Sequence, residues 1–175
     1  MRRALVAVAI LALLAGCAPT VQDQSARMRA FGADLDAALA EWQGRVSQRY
    51  YPSSVAATRD LVSRYDDVYA RWSIAMDPLS QALLAYSMAL AERVDRGLVP
   101  AAEANGLLAA MKADMDREKQ RLSSGPADAA GHDAAMLRWW NGYWTTNRAR
   151  YQGSAEQPIA CQVGPAAGGQ RVTCS

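Results

Sequence analysis

The chain has one histidine, His132, and that single residue limits its chemistry at once. A Ser-His-Asp triad, a histidine-rich metal site or an imidazole acid–base pair would each have to use it. It stands beside Gly131 and Asp133, just ahead of an apolar helical pattern, and reads as a solvent-exposed loop residue. No cluster of cysteine and histidine has zinc-ligand spacing, and no glycine-rich loop has the form that cradles phosphate. Metal, cofactor and a catalytic set are therefore not expected. Phenylalanine occurs once, and isoleucine is scarce. No apolar run reaches the roughly 20 residues that a spanning helix needs. Charge of one sign is lacking too. The net charge of +2 is accounted for by Arg2 and Arg3, so the rest of the chain is balanced. Without a basic run or patch, nucleic acid is not an expected partner.

What is present begins at the N-terminus. Met1-Arg2-Arg3 is a short basic stretch, and Ala4 to Ala15 is unbroken apolar sequence. That run has the size of the hydrophobic region of an export signal. It ends Leu14-Ala15-Gly16-Cys17. These four residues resemble the lipobox of bacterial lipoproteins: a branched apolar residue, two small residues that let the peptidase approach the backbone, and the cysteine that is modified. The resemblance covers only the first 17 residues. It implies cleavage before Cys17, a diacylglyceryl thioether on that cysteine and an acyl chain on its new amino group. One chain binds a membrane marginally, whereas two or three anchor it stably. The next residue, Ala18, is not aspartate, and the resemblance then implies the outer membrane, with the protein facing the periplasm. The expected organisation is a removed signal peptide over 1–16, a lipidated cysteine and tether over 17–20, a helical domain over 21–152 and a distinct tail over 153–175. The tether Ala18-Pro19-Thr20 spans only about 10 Å when extended.

The body is rich in Ala, Leu, Arg and Met, which favours helix. A first helix is predicted from near Val21 to Tyr50, with Met28, Phe31, Leu35, Leu39, Trp42 and Val46 on one stripe. Tyr51-Pro52-Ser53-Ser54 ends it, and Ser53 or Ser54 suits the next N-cap. A second, longer stripe holds Leu61, Tyr65, Val68, Trp72, Ala75, Leu79, Leu83, Tyr86, Leu90 and Val94. Asp77-Pro78 falls inside it. The unbroken phase favours one helix kinked at the proline; the alternative is a new helix with Asp77 as N-cap and Pro78 first. Gly97 suits a C-terminus and Pro100 a fresh start. A further helix follows to Leu122, with Ala104, Leu108, Met111, Met115 and Leu122 inward. Ser123-Ser124-Gly125-Pro126 ends it, and a last helix runs from about Asp133 to Tyr151. Short connections between amphipathic helices give antiparallel neighbours. The expected fold is all-α, an antiparallel bundle of four to five helices with a small disulfide-closed β-hairpin at its C-terminus.

The hairpin is read from the tail. Ile159, Cys161 and Val163 alternate, as do Val172 and Cys174, with Gly164-Pro165 and Gly168-Gly169 between. With Cys17 assigned to lipid, Cys161 and Cys174 remain as an even pair, expected to be a disulfide in an oxidising compartment. The bundle is expected to have its own core, so the staple should matter locally.

Candidate sites are few. The acidic pairs Asp34/Asp36, Asp66/Asp67 and Asp114/Asp116 are too close in sequence to share one helical face, and these charges read as solvated surface. Glu92 and Arg96 have the spacing of a surface ion pair. The densest aromatic stretch is Trp139-Trp140-Asn141-Gly142-Tyr143-Trp144. Leu137, Trp140 and Trp144 share one face, while Trp139 and Tyr143 form a neighbouring ridge. That ridge either packs inside, as aromatic anchors of small cores do, or faces outward as a binding platform. The expected function is that of a non-enzymatic, lipid-anchored envelope protein. It would hold the membrane through Cys17 and bind another envelope protein as an assembly or accessory factor. The alternative is a cell-wall glycan or lipid-binding module that uses Trp139 and Tyr143.

Overall fold

A computed structural model describes residues 21–124, 129–153, 158–166 and 169–175. The lipobox-like stretch, Cys17 and its tether lie outside the described residues, as does the Gly125-Pro126 break. The described residues form five helices: α1 (Val21–Ser47), α2 (Ser54–Trp72), α3 (Pro78–Asp95), α4 (Ala101–Ser123) and α5 (Ala129–Asn147). A 3₁₀ turn (Arg148–Tyr151) follows, then strands β1 (Cys161–Ala166) and β2 (Gly169–Cys174) in one antiparallel hairpin. The chain divides into two compact units, one up to Ala37 and one from Ala38 to Ser175. Helix α1 begins in the first and ends in the second.

Two positions of the expected α1 stripe do not face inward. Phe31 is buried, but Met28 and Val46 are exposed. In the second unit α1 meets α2 through polar contacts. Trp42 donates its Nε1 hydrogen to the Ala57 carbonyl at 2.7 Å. Arg64 bridges Glu41 at 2.8 Å and Asp60 at 2.6 Å.

Asp77-Pro78 separates two helices rather than kinking one. Helix α2 stops at Trp72, and Ser73 adopts a left-handed conformation (φ 52°) whose N–H reaches back to the α2 carbonyls. Asp77 is extended, and its Oδ1 accepts from the N–H groups of Leu79 and Ser80 at 3.1 and 2.9 Å. A side-chain cap and a proline at the first helical position together satisfy the orphan donors of a new helix. Continuity of the stripe across this break is a coincidence of phase, and Ala75, inside it, is exposed.

Helix α3 is the centre of the second unit. It packs against α2, α4, α5 and β2. Its buried residues include Leu79, Ala82, Leu84, Tyr86, Ala89, Leu90, Ala91 and Arg93, which cover most of its circumference. A helix apolar on nearly all sides belongs inside. Helix α2, by contrast, buries only Val68 fully; Tyr65 and Trp72 are half-buried. Helix α3 ends at Gly97 (φ 72°), where Gly97 donates to Val94 and Leu98 to Arg93, both at 2.9 Å. This is the glycine-terminated Schellman arrangement.

The tail is not a separate appendage. Ile159 and Val172 belong to the same core cluster as Leu79, Tyr86, Met111, Met115, Trp140 and Trp144. Strand β2 lies against α3, and β1 against α5. Cys161 and Cys174 face each other in the register and are disulfide-bonded.

Candidate functional site

Functional geometry concentrates where α5 and the 3₁₀ turn meet α3, α4 and the hairpin. Trp140 and Trp144, on one face of α5, are buried and stacked with centroids 5.4 Å apart. Trp139 and Tyr143, the neighbouring ridge, are half-buried and stacked at 4.4 Å. The Tyr143 hydroxyl is committed to the interior. It bonds Asp114 Oδ2, and it lies 2.5 Å from the hydroxyl of Tyr151, which donates to the same carboxylate oxygen at 2.7 Å. Beneath this, the buried Tyr86 hydroxyl donates to the Tyr151 carbonyl at 2.7 Å, and Arg93 Nη1 to the Gln152 carbonyl at 3.1 Å.

Asp114 is thus not surface charge, as its sequence setting suggested; its side chain is only 12% exposed. Burial alone pushes its carboxyl up. The hydrogen bonds from Tyr143 and Tyr151 and the charges of Arg117 and Arg150 outweigh that and hold it below the usual carboxylate range. The tyrosines move the other way. Burial, then the hydrogen bond to Asp114, pushes Tyr143 well above its ordinary value, and burial does the same for Tyr86 and Tyr151. A low carboxyl beside raised hydroxyls is the pattern of phenols that donate to an ionised carboxylate. The network clamps the end of α5 onto α4 and α3. Asp116, two residues away, is exposed and pairs with Lys112. Glu92 and Arg96 make an exposed pair at 3.9 Å.

His132 is not in a loop. It lies within α5, half-buried, and its ring makes no hydrogen bond among the described residues. Among the described residues no group of three or more His, Cys, Asp or Glu side chains is placed to hold a metal ion, and no helix is long and apolar enough to cross a membrane. Of the acidic pairs, Asp114 and Asp116 have different partners, the first Tyr143 and Tyr151 and the second Lys112. What sequence reasoning missed is the convergence on Asp114 of Tyr143 and Tyr151, residues 29 and 37 positions away. No local pattern announces it.

Two open cavities flank the hairpin. One, of about 480 Å³, lies between α2, α3 and β2, with Leu84, Met88 and Val172 in its lining and Asp66 and Arg171 as its charges. The other, of about 490 Å³, lies between the end of α5 and the start of β1. Both fall in the range of about 300–1,000 Å³ typical of ligand sites. No family model, no curated protein and no solved structure matches the chain.

Proposed function

We propose that this chain is a lipid-anchored protein of the bacterial cell envelope that catalyses no reaction and binds another envelope protein as an assembly or accessory factor. The observation that carries the first half is the N-terminal pattern, a basic start, an apolar run and Leu14-Ala15-Gly16-Cys17. The Cys161–Cys174 bridge agrees with it, because such bonds persist where the compartment is oxidising. The outer membrane, with the domain facing the periplasm, follows from Ala18 after the cysteine. Cys17→Ser is expected to abolish labelling by a palmitate analogue and to leave the precursor uncut. Label retained in that variant would remove the anchor from the reading.

The second half is supported by how the ionisable groups are spent. Asp114, Tyr143 and Tyr151 hold one another, and the ring of the lone histidine has no hydrogen-bonded partner among the described residues. Crosslinking in intact cells followed by mass spectrometry tests it, and the absence of any reproducible protein partner would count against it. A second reading, a glycan or lipid-binding module, rests on the Trp139–Tyr143 stack, which keeps part of its surface open. Retention on purified peptidoglycan or on lipid vesicles, lost in Trp139→Ala, would favour it over a protein partner.

A further inference from the structure

The outer edge of β1 offers a more specific docking site. Ala160 and Ser175 exchange both backbone hydrogen bonds, at 3.0 and 3.1 Å. In an antiparallel pair, bonded and non-bonded positions alternate. The register Gln162↔Thr173 and Gly164↔Arg171 therefore supplies the inward bonds. Ile159, Cys161, Val163 and Pro165 turn their backbone groups away from β2. At Ile159 that edge is already filled. The side-chain amide of Gln152 accepts from the Ile159 N–H and donates to its carbonyl at 3.4 Å, standing where the peptide group of a neighbouring strand would stand. At the other end Pro165 has no N–H to offer, which is how natural sheets close an edge. Between them, the outward groups of Cys161 and Val163 have no partner among the described residues.

The 490 Å³ cavity reaches this edge at Cys161. One of its walls is Pro158 to Gln162, the segment that leads into β1 together with the first two residues of the strand. Trp144, Thr145 and Arg148 form the facing wall. Arg148 is exposed and has no ionic partner among the described residues, and among them no carboxylate lines the cavity. On the other strand Val172 is only 3% exposed, turned into the core.

We infer that an extended segment of a partner protein adds to β1 at Cys161 and Val163 as a third strand and places an acidic residue against Arg148. This rests on the protein-partner reading above and names the surface it uses. In strand addition, main-chain bonds supply the attachment and side-chain contacts select the sequence.

The test uses the full chain in the cells that make it, with a photocrosslinking residue at Thr145 or Gln162 and, as a control, at exposed Arg59 on the outer helix α2. The expected result is a protein crosslink from Thr145 and Gln162 but not from Arg59, mapping to a segment that contains Asp or Glu. Val163→Pro removes an outward donor and no bond to β2, because Val163 faces Val172 as a non-bonded pair, and it is read with helical circular dichroism unaltered. It should lower the yield at least about tenfold, while Val163→Leu, which keeps the donor, should not. Arg148→Glu, a surface change with unaltered helical circular dichroism, should do the same. A protein crosslink confined to Arg59, or full yield in both Val163→Pro and Arg148→Glu, overturns the docking site and leaves the anchored-partner reading standing. No protein crosslink from any of the three positions, with or without capture of lipid or glycan at Thr145, overturns both.

Discussion

At Asp114 a single carboxylate oxygen receives two phenol hydroxyls, one from α5 and one from the 3₁₀ turn, and the cost of losing either can be stated. Tyr143→Phe removes one hydrogen bond to a charged acceptor and leaves the Tyr151 bond in place, an expected loss of about 1.5–3 kcal/mol, read as a shift in the urea midpoint. The same network sets a pH dependence. Asp114 is held below its unfolded value, as is Asp77, where burial raises the carboxyl but Lys119 and Ser80 more than compensate. Their contribution is present above about pH 4 and is lost as pH falls through the folded values. Tyr86, Tyr143 and Tyr151 are raised instead, so their contribution is complete below about pH 10 and is lost as pH climbs toward the folded values. Stability from these groups should thus be flat between the two limits. Tyrosinate absorbance from these three residues should appear together with unfolding rather than before it. Asp114→Asn should shallow the acid limb, and an unchanged limb would mean that the two hydroxyls do not reach it. Burial ranks the aromatics in the same way. Trp140 is 1% exposed and its truncation to alanine should cost about 3–5 kcal/mol, whereas half-buried Trp72, outside the core cluster, should cost clearly less.

Among the elements, the junction of α2 and α3 is the most instructive. Ser73 is a non-glycine residue in the left-handed region, and its side chain is exposed. Ser73→Gly should therefore stabilise the domain, by up to about 1 kcal/mol, as the relief of the β-carbon clash exceeds the added entropy of glycine. Asp77→Ala should do the reverse by about 1–2 kcal/mol, because it removes the N-cap of α3 and strips Lys119 of a partner 2.9 Å away. A thermal melt of each variant decides both. The same junction shows what a sequence carries and what it does not. Asp77-Pro78 stated its capping chemistry plainly, but the apolar stripe ran through it in phase, and phase cannot distinguish a kink from a break. Helix α2 was legible because cap and periodicity agreed, with Ser53 as its N-cap, and α4 because Ala104, Met111 and Met115 line it as their spacing requires. The hairpin was legible from alternation and the cysteine pair. Centrality was not. Tyr65 and Trp72 head an equally regular stripe, yet the core formed around α3, α5 and the tail, because burial depends on which faces meet across the fold. For the same reason Trp139 and Tyr143 could be grouped as a ridge from sequence, but the attachment of Tyr143 to Asp114 on another helix could not.

In the molecule as a whole, the tail behaves as part of the core that α3 organises, and this changes what the disulfide should do. Cys161 and Cys174 close a loop with a sequence separation of 13. Constraining a loop of that size in the unfolded chain contributes about 3 kcal/mol in the chain-entropy model. Were the hairpin an independent appendage, that contribution would affect only its own order. Ile159 and Val172 are 1% and 3% exposed, however, and share the cluster of Tyr86, Met111 and Trp140. The backbone of the turn just before the hairpin is also tied to α3, through Tyr86 on the Tyr151 carbonyl and Arg93 on the Gln152 carbonyl. Fraying of the hairpin would uncover that cluster, so unfolding of tail and helices should be one transition. Cys161→Ser with Cys174→Ser is then expected to lower the melting temperature of the helical signal by roughly 6–12 °C, at about 2–4 °C per kcal/mol for a chain of this size. Proteolysis of the tail should rise in step with the loss of helix and not ahead of it. Val172→Ala, which keeps the bridge, should move the same single transition by a smaller amount. Helical melting unchanged in the double variant, with the tail cleaved well below that temperature, would show that the hairpin merely rests on α3 and that the core ends at the 3₁₀ turn.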